Sequence, residues 1–157
     1  MVITLAKPTT QPLITTKVVD YVSHEPLIHA IRTAVFVHEQ AIPAELEADA
    51  DDLVSQHVLA CYDGQCVGTG RLTPAGRIGR VAVARPIRRR GVGFCVMQRL
   101  LEVAKQNRHP EVFLAAQYHA IEFYEKLGFQ TEGEIFMELG ILHVMMRKPL
   151  VNPIFLS

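Results

Sequence analysis

The sequence predicts an α+β (mixed α/β) domain, built on a single central mixed sheet of about seven strands flanked by helices. Three observations predict it. Stretches of strand composition and amphipathic helical stretches follow one another as strand, helix, loop, three strands, helix, strand, helix, two strands. The three middle strands are linked by short turns at Asp63-Gly64 and Pro74-Ala75-Gly76, as antiparallel neighbours are. The apolar run Val112-Phe113-Leu114-Ala115-Ala116 stands between two helical stretches and reads as a buried central strand. At 157 residues, with no internal repeat and no linker, the chain reads as one domain large enough to bury its own core. The expected division is a tail over 1–13, the domain over 14–149 and a tail over 150–157.

In order, residues 14–20 have strand composition, and Ser23 is the expected cap of a helix whose face carries Leu27, Ile28, Ile31, Ala34 and Val35. Arg32 and Phe36 lie one turn apart on that helix. Residues 40–56 lose periodicity in a long, acid-rich segment, and a length of this kind in a compact domain is usually functional. Residues 57–62 and 66–72 form a hairpin about Asp63-Gly64, which sets Cys61 opposite Cys66. A strand over 77–84 leads into a helix over 91–107, with Val92, Val96, Leu100, Val103 and Ala104 on one stripe. A short helix over 119–127 stops at Gly128, and strands around 134–138 and 141–147 are split at Gly140. Leu150, Val151, Ile154, Phe155 and Leu156 make the tail apolar enough to dock on the body or on a neighbour.

Composition excludes several classes. Apolar residues at 49% and charged ones at 20% rule out a disordered chain. Lys plus Arg and Asp plus Glu are both 16, so no overall field points to nucleic acid or membrane. Charge is instead segregated, with acids over 45–52 and bases over 77–90. No uncharged run approaches the ~20 residues of a membrane span, and the threonine-rich start is not a signal segment. The expectation is a soluble, cytoplasmic protein whose three cysteines are free thiols, a Cys61–Cys66 disulfide being the alternative.

The most informative stretch runs from Val81 to Gly93. It reads as a strand entering a glycine-rich turn and then a helix, with Arg88, Arg89 and Arg90 at the bend. Amides at such a bend point one way, and the helix behind adds the positive end of its dipole. That makes an anion seat suited to a phosphate or pyrophosphate. No Gly-Lys-Ser/Thr follows the glycines and no Gly-x-Gly-x-x-Gly is present, so a nucleotide-hydrolase or dinucleotide loop is excluded. Three arginines on a neutral chain, without stacking aromatics around them, are a poor nucleic-acid patch.

Arg88-Arg89-Arg90-Gly91-Val92-Gly93 resembles the Arg/Gln-x-x-Gly-x-Gly/Ala motif of the GNAT superfamily of acetyl-CoA-dependent N-acetyltransferases. Ala120 to Phe129 resembles that family's second signature, Ala-x-x-x-Tyr-x-x-x-Gly-Phe. Residues 32–45 with His57, and the run 133–143, are similar to the ElaA-like branch, with Leu139 and Leu142 replacing its Asp and Pro. The resemblance implies the GNAT fold and acetyl-CoA as acyl donor, with no metal. It implies that Arg88, Arg89, Arg90, Gly91, Val92 and Gly93 hold the pyrophosphate. Val81, Ala82 and Val83 would pair with the pantetheine and polarise the thioester. Gln117, where the family often has Asn, would contact the pantetheine, and Tyr124 would be the general acid for the departing thiolate. The acceptor it implies is the primary amine of a small molecule, attacked directly in a ternary complex.

Accepting the amine's proton falls to one of Glu39, Glu45, His57, His119 and His143, or to ordered water; Glu45 on the covering loop and His57 beside the cleft are the first candidates. Arg32, Phe36, Glu39 and Arg71 are the expected acceptor-pocket residues. Arg32, Glu39, Asp49, Asp51 and Arg71 form either an ion-pair cluster lining that pocket or a lock holding the acidic loop to the sheet. The acids over 45–52 would draw a cationic acceptor if they line the entrance. The front half also resembles acyl-homoserine-lactone synthases, through Arg32-x-x-Val35-Phe36 and Gly68-x-x-Arg71-Leu72. A lactone-forming or longer-chain acyltransferase is therefore one alternative, and a non-catalytic acyl-CoA sensor another. Exposed sheet edges and the apolar tail make a homodimer the candidate assembly.

Overall fold

The computed structural model describes residues 13–150. Its seven strands fall into two antiparallel sheets. The first, in the order β1-β2-β3-β4, consists of Ile14–Val19, Gln56–Tyr62, Gln65–Leu72 and Ile78–Val83. The second, in the order β5-β7-β6, consists of Glu111–Gln117 (β5), Gln130–Glu138 (β6) and Ile141–Pro149 (β7). Among the described residues the sheets meet at a single parallel bridge, Arg77 to Phe113, where the Phe113 amide donates to the Gly76 carbonyl at 3.1 Å. Beyond that bridge β4 and β5 diverge, so the expected central sheet is split down its middle. Residue composition cannot reveal where a ladder stops.

The cause of the split lies in β4. Thr69 pairs with Ala82 and Arg71 with Gly79, so β4 carries one residue more than β3 over that interval. The surplus is a bulge at Arg80, which has a left-handed φ of 50°. A bulge bends its strand and sharpens its twist. Here it turns the end of β4 away from β5.

Helix α1, Tyr21–Arg32, covers one face and α2, Val92–Gln106, the other. The cap of α1 is Asp20 rather than Ser23: its carboxylate accepts from the Ser23 amide at 3.0 Å and from its hydroxyl at 2.7 Å. Ile28, Ile31, Val35 and Phe36 are buried with Leu59 and Ala82, whereas Leu27, expected on the same face, is 46% exposed. The helix then widens into a π-helical turn, Thr33–Glu39, closed by the Gln40 amide on the Val35 carbonyl at 3.0 Å. Such turns rotate the residues after them and recur at functional sites.

The predicted stripe of α2 is fully buried. This helix lies so close to β3 that a Cβ on Gly68 would sit 2.8 Å from Val92 Cγ1, and one on Gly70 would sit 2.8 Å from Leu100 Cδ1. The hairpin turn is as read, with Asp63 and Gly64 both at positive φ, and Leu139-Gly140 makes a second turn of that kind between β6 and β7. The short helix α3, Ile121–Lys126, follows a 3₁₀ turn, and Gly128 closes it at φ 93°. Leu150 bonds Pro110 through its amide at 2.8 Å and packs on the core. Val151, Ile154, Phe155 and Leu156 lie outside the described residues.

Replacing Gly70 by Ala is expected to lower the melting temperature, because Leu100 is wholly buried and has nowhere to retreat. Overpacking of this kind costs about 1–3 kcal/mol. Gly79→Ala, whose Cβ would meet nothing within 4 Å, should leave the melting temperature unchanged; thermal denaturation of the two variants checks both statements.

Candidate active site

The divergence of β4 and β5 opens a cleft of about 1080 Å³, walled on one side by β4 and on the other by β5 and β7. Val81, Ala82 and Val83 line it along β4. On the β5 side their backbone has no ladder partner among the described residues. An extended chain entering the cleft would meet strand backbone free on that side, except at the Val83 carbonyl, which accepts from Arg88 Nε.

At its wide end the cleft reaches the loop between β4 and α2. Arg89 and Gly91 both adopt left-handed φ, 64° and 89°. Two such residues within a turn gather successive amides into a concave nest. The Arg88 amide is taken by the Arg85 carbonyl at 3.3 Å, so the seat begins one residue later than expected. From Arg89 to Phe94 no backbone acceptor takes an amide among the described residues, and Gly91 starts α2 without a side-chain cap. The three arginine side chains separate. Arg88 donates through Nε to the Val83 carbonyl at 3.0 Å and forks onto Glu39, reaching Oε2 at 2.6 Å. That guanidinium holds the Glu39 carboxyl below the usual carboxylate range. Arg90 turns away to the Tyr62 hydroxyl at 3.0 Å, and Arg89 remains at the cleft mouth.

Tyr124 on α3 lines the cleft, edge-on to Phe123 and Phe129 with ring centres 5.0 and 5.9 Å away. Burial pushes its phenol up to about 12, so it keeps its proton throughout any working pH range. Gln117 also lines the cleft, but its amide pairs reciprocally with that of Gln40 at 3.0 and 3.1 Å, tying β5 to the end of the π-helical turn. His119, Glu138 and His143 complete the wall formed by the second sheet.

Beside the β4 wall lies an ion-pair cluster, of which Glu47, Asp49, Arg71 and Arg80 line the cleft and Arg32 and Asp52 lie buried beneath. Arg32, 1% exposed, forks onto Asp52 at 2.8 and 3.2 Å and pairs with Glu47. Arg71 forks onto Asp49 at 2.7 and 2.9 Å and reaches Asp52 at 2.7 Å. Arg80, projecting from the bulge, donates to the Glu47 carbonyl at 3.0 Å and to Asp49 at 3.0 Å. His57 Nε2–H donates to the Asp52 carbonyl at 2.8 Å beneath the stacked ring of Tyr21. Asp52 is held well below the carboxylate range by Arg32 and Arg71, which outweigh its burial, and Asp49 is lowered chiefly by Arg71. Burial lowers His57.

Of the residues anticipated from sequence, the fold brings Phe36, Glu39, Asp49, Asp51, Arg71, Val81, Ala82, Val83, Arg88, Arg89, Gly91, Val92, Gly93, Gln117, His119, Tyr124 and His143 to the cleft. It does not bring Glu45, His57, Arg32 or Arg90 there. Glu45 is exposed on the loop, whereas His57 and Arg32 are 1% exposed inside the ion-pair cluster. The cluster locks the acidic loop onto the sheet and excludes Glu39, which belongs to Arg88 instead. Glu47, Asp49 and Asp52 face the three guanidiniums, whereas Glu45 and Asp51 are exposed, Asp51 lining the cleft 4.0 Å from Arg71. Cys61 and Cys66 face each other as free thiols, and burial and the neighbouring thiol push Cys61 up to about 11. Sequence reasoning named Glu47 and Asp52 only as acids of the loop, not as partners of Arg32 and Arg71, and it missed Arg80 and Gln40. Gly79 inside the strand was a legible bulge signal for Arg80; Gln40 carried none.

A splayed mixed fold, with an anion nest at the mouth of the splay and a neutral phenol in its wall, is suited to an extended ligand that ends in a phosphate. Comparison with known proteins gives the family. The acetyltransferase (GNAT) domain family matches residues 17–150. Protein YyaT of Bacillus subtilis is 37% identical over 131 residues, covering 80% of this chain and 87% of its own. ElaA of Escherichia coli is 32% identical over 131 residues, 78% of this chain and 85% of its own. The crystal structure of Escherichia coli ElaA aligns with a TM-score of 0.77 and 30% identity over 87% of this chain and 99% of that one. An acyl-CoA N-acyltransferase from Pseudomonas aeruginosa aligns with a TM-score of 0.75 and 32% identity over 88% and 99%. The chain belongs to the GNAT family of N-acetyltransferases, in its ElaA-like branch.

Asp52→Asn should cost about 3–5 kcal/mol at neutral pH, because it leaves two buried guanidiniums short of a charge. Stability of the wild type should fall with pH in two stages. A histidine whose folded pKa is depressed begins to cost stability below its ordinary value near 6.5. Lowered aspartates hold their contribution above about 4 and lose it below. Melting temperatures against pH should show His57→Gln flattening the first stage and Asp52→Asn the second.

Proposed function

We propose that the protein transfers an acetyl group from acetyl-CoA to the primary amine of a small molecule, by direct attack with both substrates in the cleft. The observation that carries this reading is the run of unpaired β4 backbone from Val81 to Val83, leading straight into the amide nest of Arg89 to Phe94. An extended pantetheine suits the first and a pyrophosphate the second. An amide beside the bulge then donates to the thioester oxygen as charge develops on it.

The amine nitrogen attacks the thioester carbon, the carbon–sulfur bond breaks, and the thiolate takes a proton from the Tyr124 hydroxyl. A phenol held protonated up to about pH 12 is present as a donor at every turnover. Gln117 joins the pantetheine contacts only if its pairing with Gln40 opens. Glu39, through its fork with Arg88, positions the loop that carries the nest.

Acetyl-CoA at ~100 times its Kd is expected to raise the melting temperature by roughly 5–10 °C. Gly91→Glu, which sets a bulky anion in the nest on a residue that needs positive φ, should abolish that rise. No rise in folded wild type would sink the acetyl-CoA reading. Tyr124→Phe should keep the rise and lower kcat by ~10²-fold or more. Below about pH 11, any loss of rate toward basic pH should persist unchanged in that variant.

A further inference from the structure

Building on the acetyl-transfer reading, we propose that His143 takes the proton from the incoming ammonium group, through Nε2. His143 is 9% exposed, and the surface it retains lines the cleft. Its Nδ1 lies 2.8 Å from the Ile141 carbonyl, which can only accept. The proton of the neutral ring is therefore on Nδ1, and the lone pair is on Nε2. Nε2 has no hydrogen-bond partner among the described residues. The register of β5 and β7 sets His143 directly beside Gln117, and the ring stacks on Phe136, centroids 5.7 Å apart at 19°. Strand pairing, stacking and the Nδ1 bond together fix the ring with its basic nitrogen as the one left for a substrate.

The proton balance is simple. Nε2 accepts one proton from R–NH3⁺, giving the neutral amine that attacks the thioester carbon. As the tetrahedral adduct collapses the thiolate takes the Tyr124 proton, and the second nitrogen proton restores the Tyr124 hydroxyl. The imidazolium returns its proton to solvent, so each turnover releases one H⁺. The Nδ1–H bond survives throughout.

The titratable and charged groups around His143 are distinct in kind. From β6 comes Glu138, from the turn after β5 His119 and from α3 Tyr124. Across the cleft stand Glu39, neutralised by Arg88, and Asp49 beneath Arg71 and Arg80. On its own side of the cleft His119 and Glu138 are its rivals for the proton, and across the cleft Asp51, 4.0 Å from Arg71, is a third; all three are exposed.

The test has an arm that needs no acceptor. Long-range ¹H–¹⁵N spectra of the histidine rings, assigned by the loss of one set in His143→Asn, should show His143 as the Nδ1–H tautomer with and without acetyl-CoA. An Nε2–H ring would overturn the proposal. The second arm compares tyramine, protonated at neutral pH, with 4-aminobenzoate, whose nitrogen is neutral there. His143→Asn, whose side-chain amide can still donate to the Ile141 carbonyl, should lower kcat/KM for tyramine by ~10²-fold and erase its decline toward acid pH. Turnover of 4-aminobenzoate should change by less than about threefold. Equal losses on both amines, or a decline erased by His119→Gln or Glu138→Gln instead, would overturn it. Where the protein acetylates neither amine, the tautomer and a titration of His143 with acetyl-CoA bound decide the matter. A wild type that fails to bind acetyl-CoA at all refutes the transfer reading and is told apart by the absent thermal shift.

Discussion

The single extra residue in β4 is the constraint on which the rest of the molecule depends. A non-glycine residue held at positive φ costs of order 1 kcal/mol or more and persists only where its surroundings hold it. Arg80 is held by its own side chain, which reaches the Glu47 carbonyl and Asp49 across the acidic loop. The bulge and the loop therefore stabilise each other. With the bulge in place β4 leaves β5 after one bridge, the backbone of Val81 to Val83 stays unpaired, and the sheet gains a cleft where a continuous ladder would have closed it.

The ion-pair cluster shows how an acid-rich loop is held in one position by its own charges. Glu47, Asp49 and Asp52 are neutralised one for one by Arg32, Arg71 and Arg80, and both carboxylates of the buried core are also hydrogen-bonded. Burying such charges is expensive unless every partner is present, so the arrangement specifies one position of the loop rather than adding much net stability. That position sets the outer wall of the cleft. The same logic separates the three arginines of the glycine loop. Arg88 fixes the loop through Glu39, Arg90 braces it on Tyr62, and Arg89 alone is left facing an incoming anion.

The cleft holds its two proton-handling groups in complementary states. The Tyr124 phenol is kept neutral by burial among aromatic rings, and the His143 ring is kept as one tautomer by a carbonyl of its own strand. On the mechanism proposed above, this wall would both give and take a proton, with the β5-side edge of β4 facing it. Acid and base would then serve different atoms, the departing sulfur and the arriving nitrogen.

By itself the sequence determined the local elements and the anion seat. Period-2 and period-3.6 patterns gave seven strands and the buried stripe of α2. Asp63-Gly64 gave a turn, and Gly91, beside an arginine triplet, gave a backbone that only glycine adopts easily. These are properties of residues close together in the chain, where sterics and periodicity act directly. Tertiary structure alone decided which charges meet. Glu47 and Asp52 are ordinary loop acids until Arg32 and Arg71 arrive from a helix and a strand 15 to 20 residues away. His57, beside the cleft in the linear reading, is sealed under Tyr21, and Gln117 is tied to Gln40 from 77 positions off. The split of the sheet was equally hidden, because it depends on where a ladder of backbone hydrogen bonds ends. A backbone amide carries no residue identity, so only the folded chain shows which amides find a partner and which remain for a substrate.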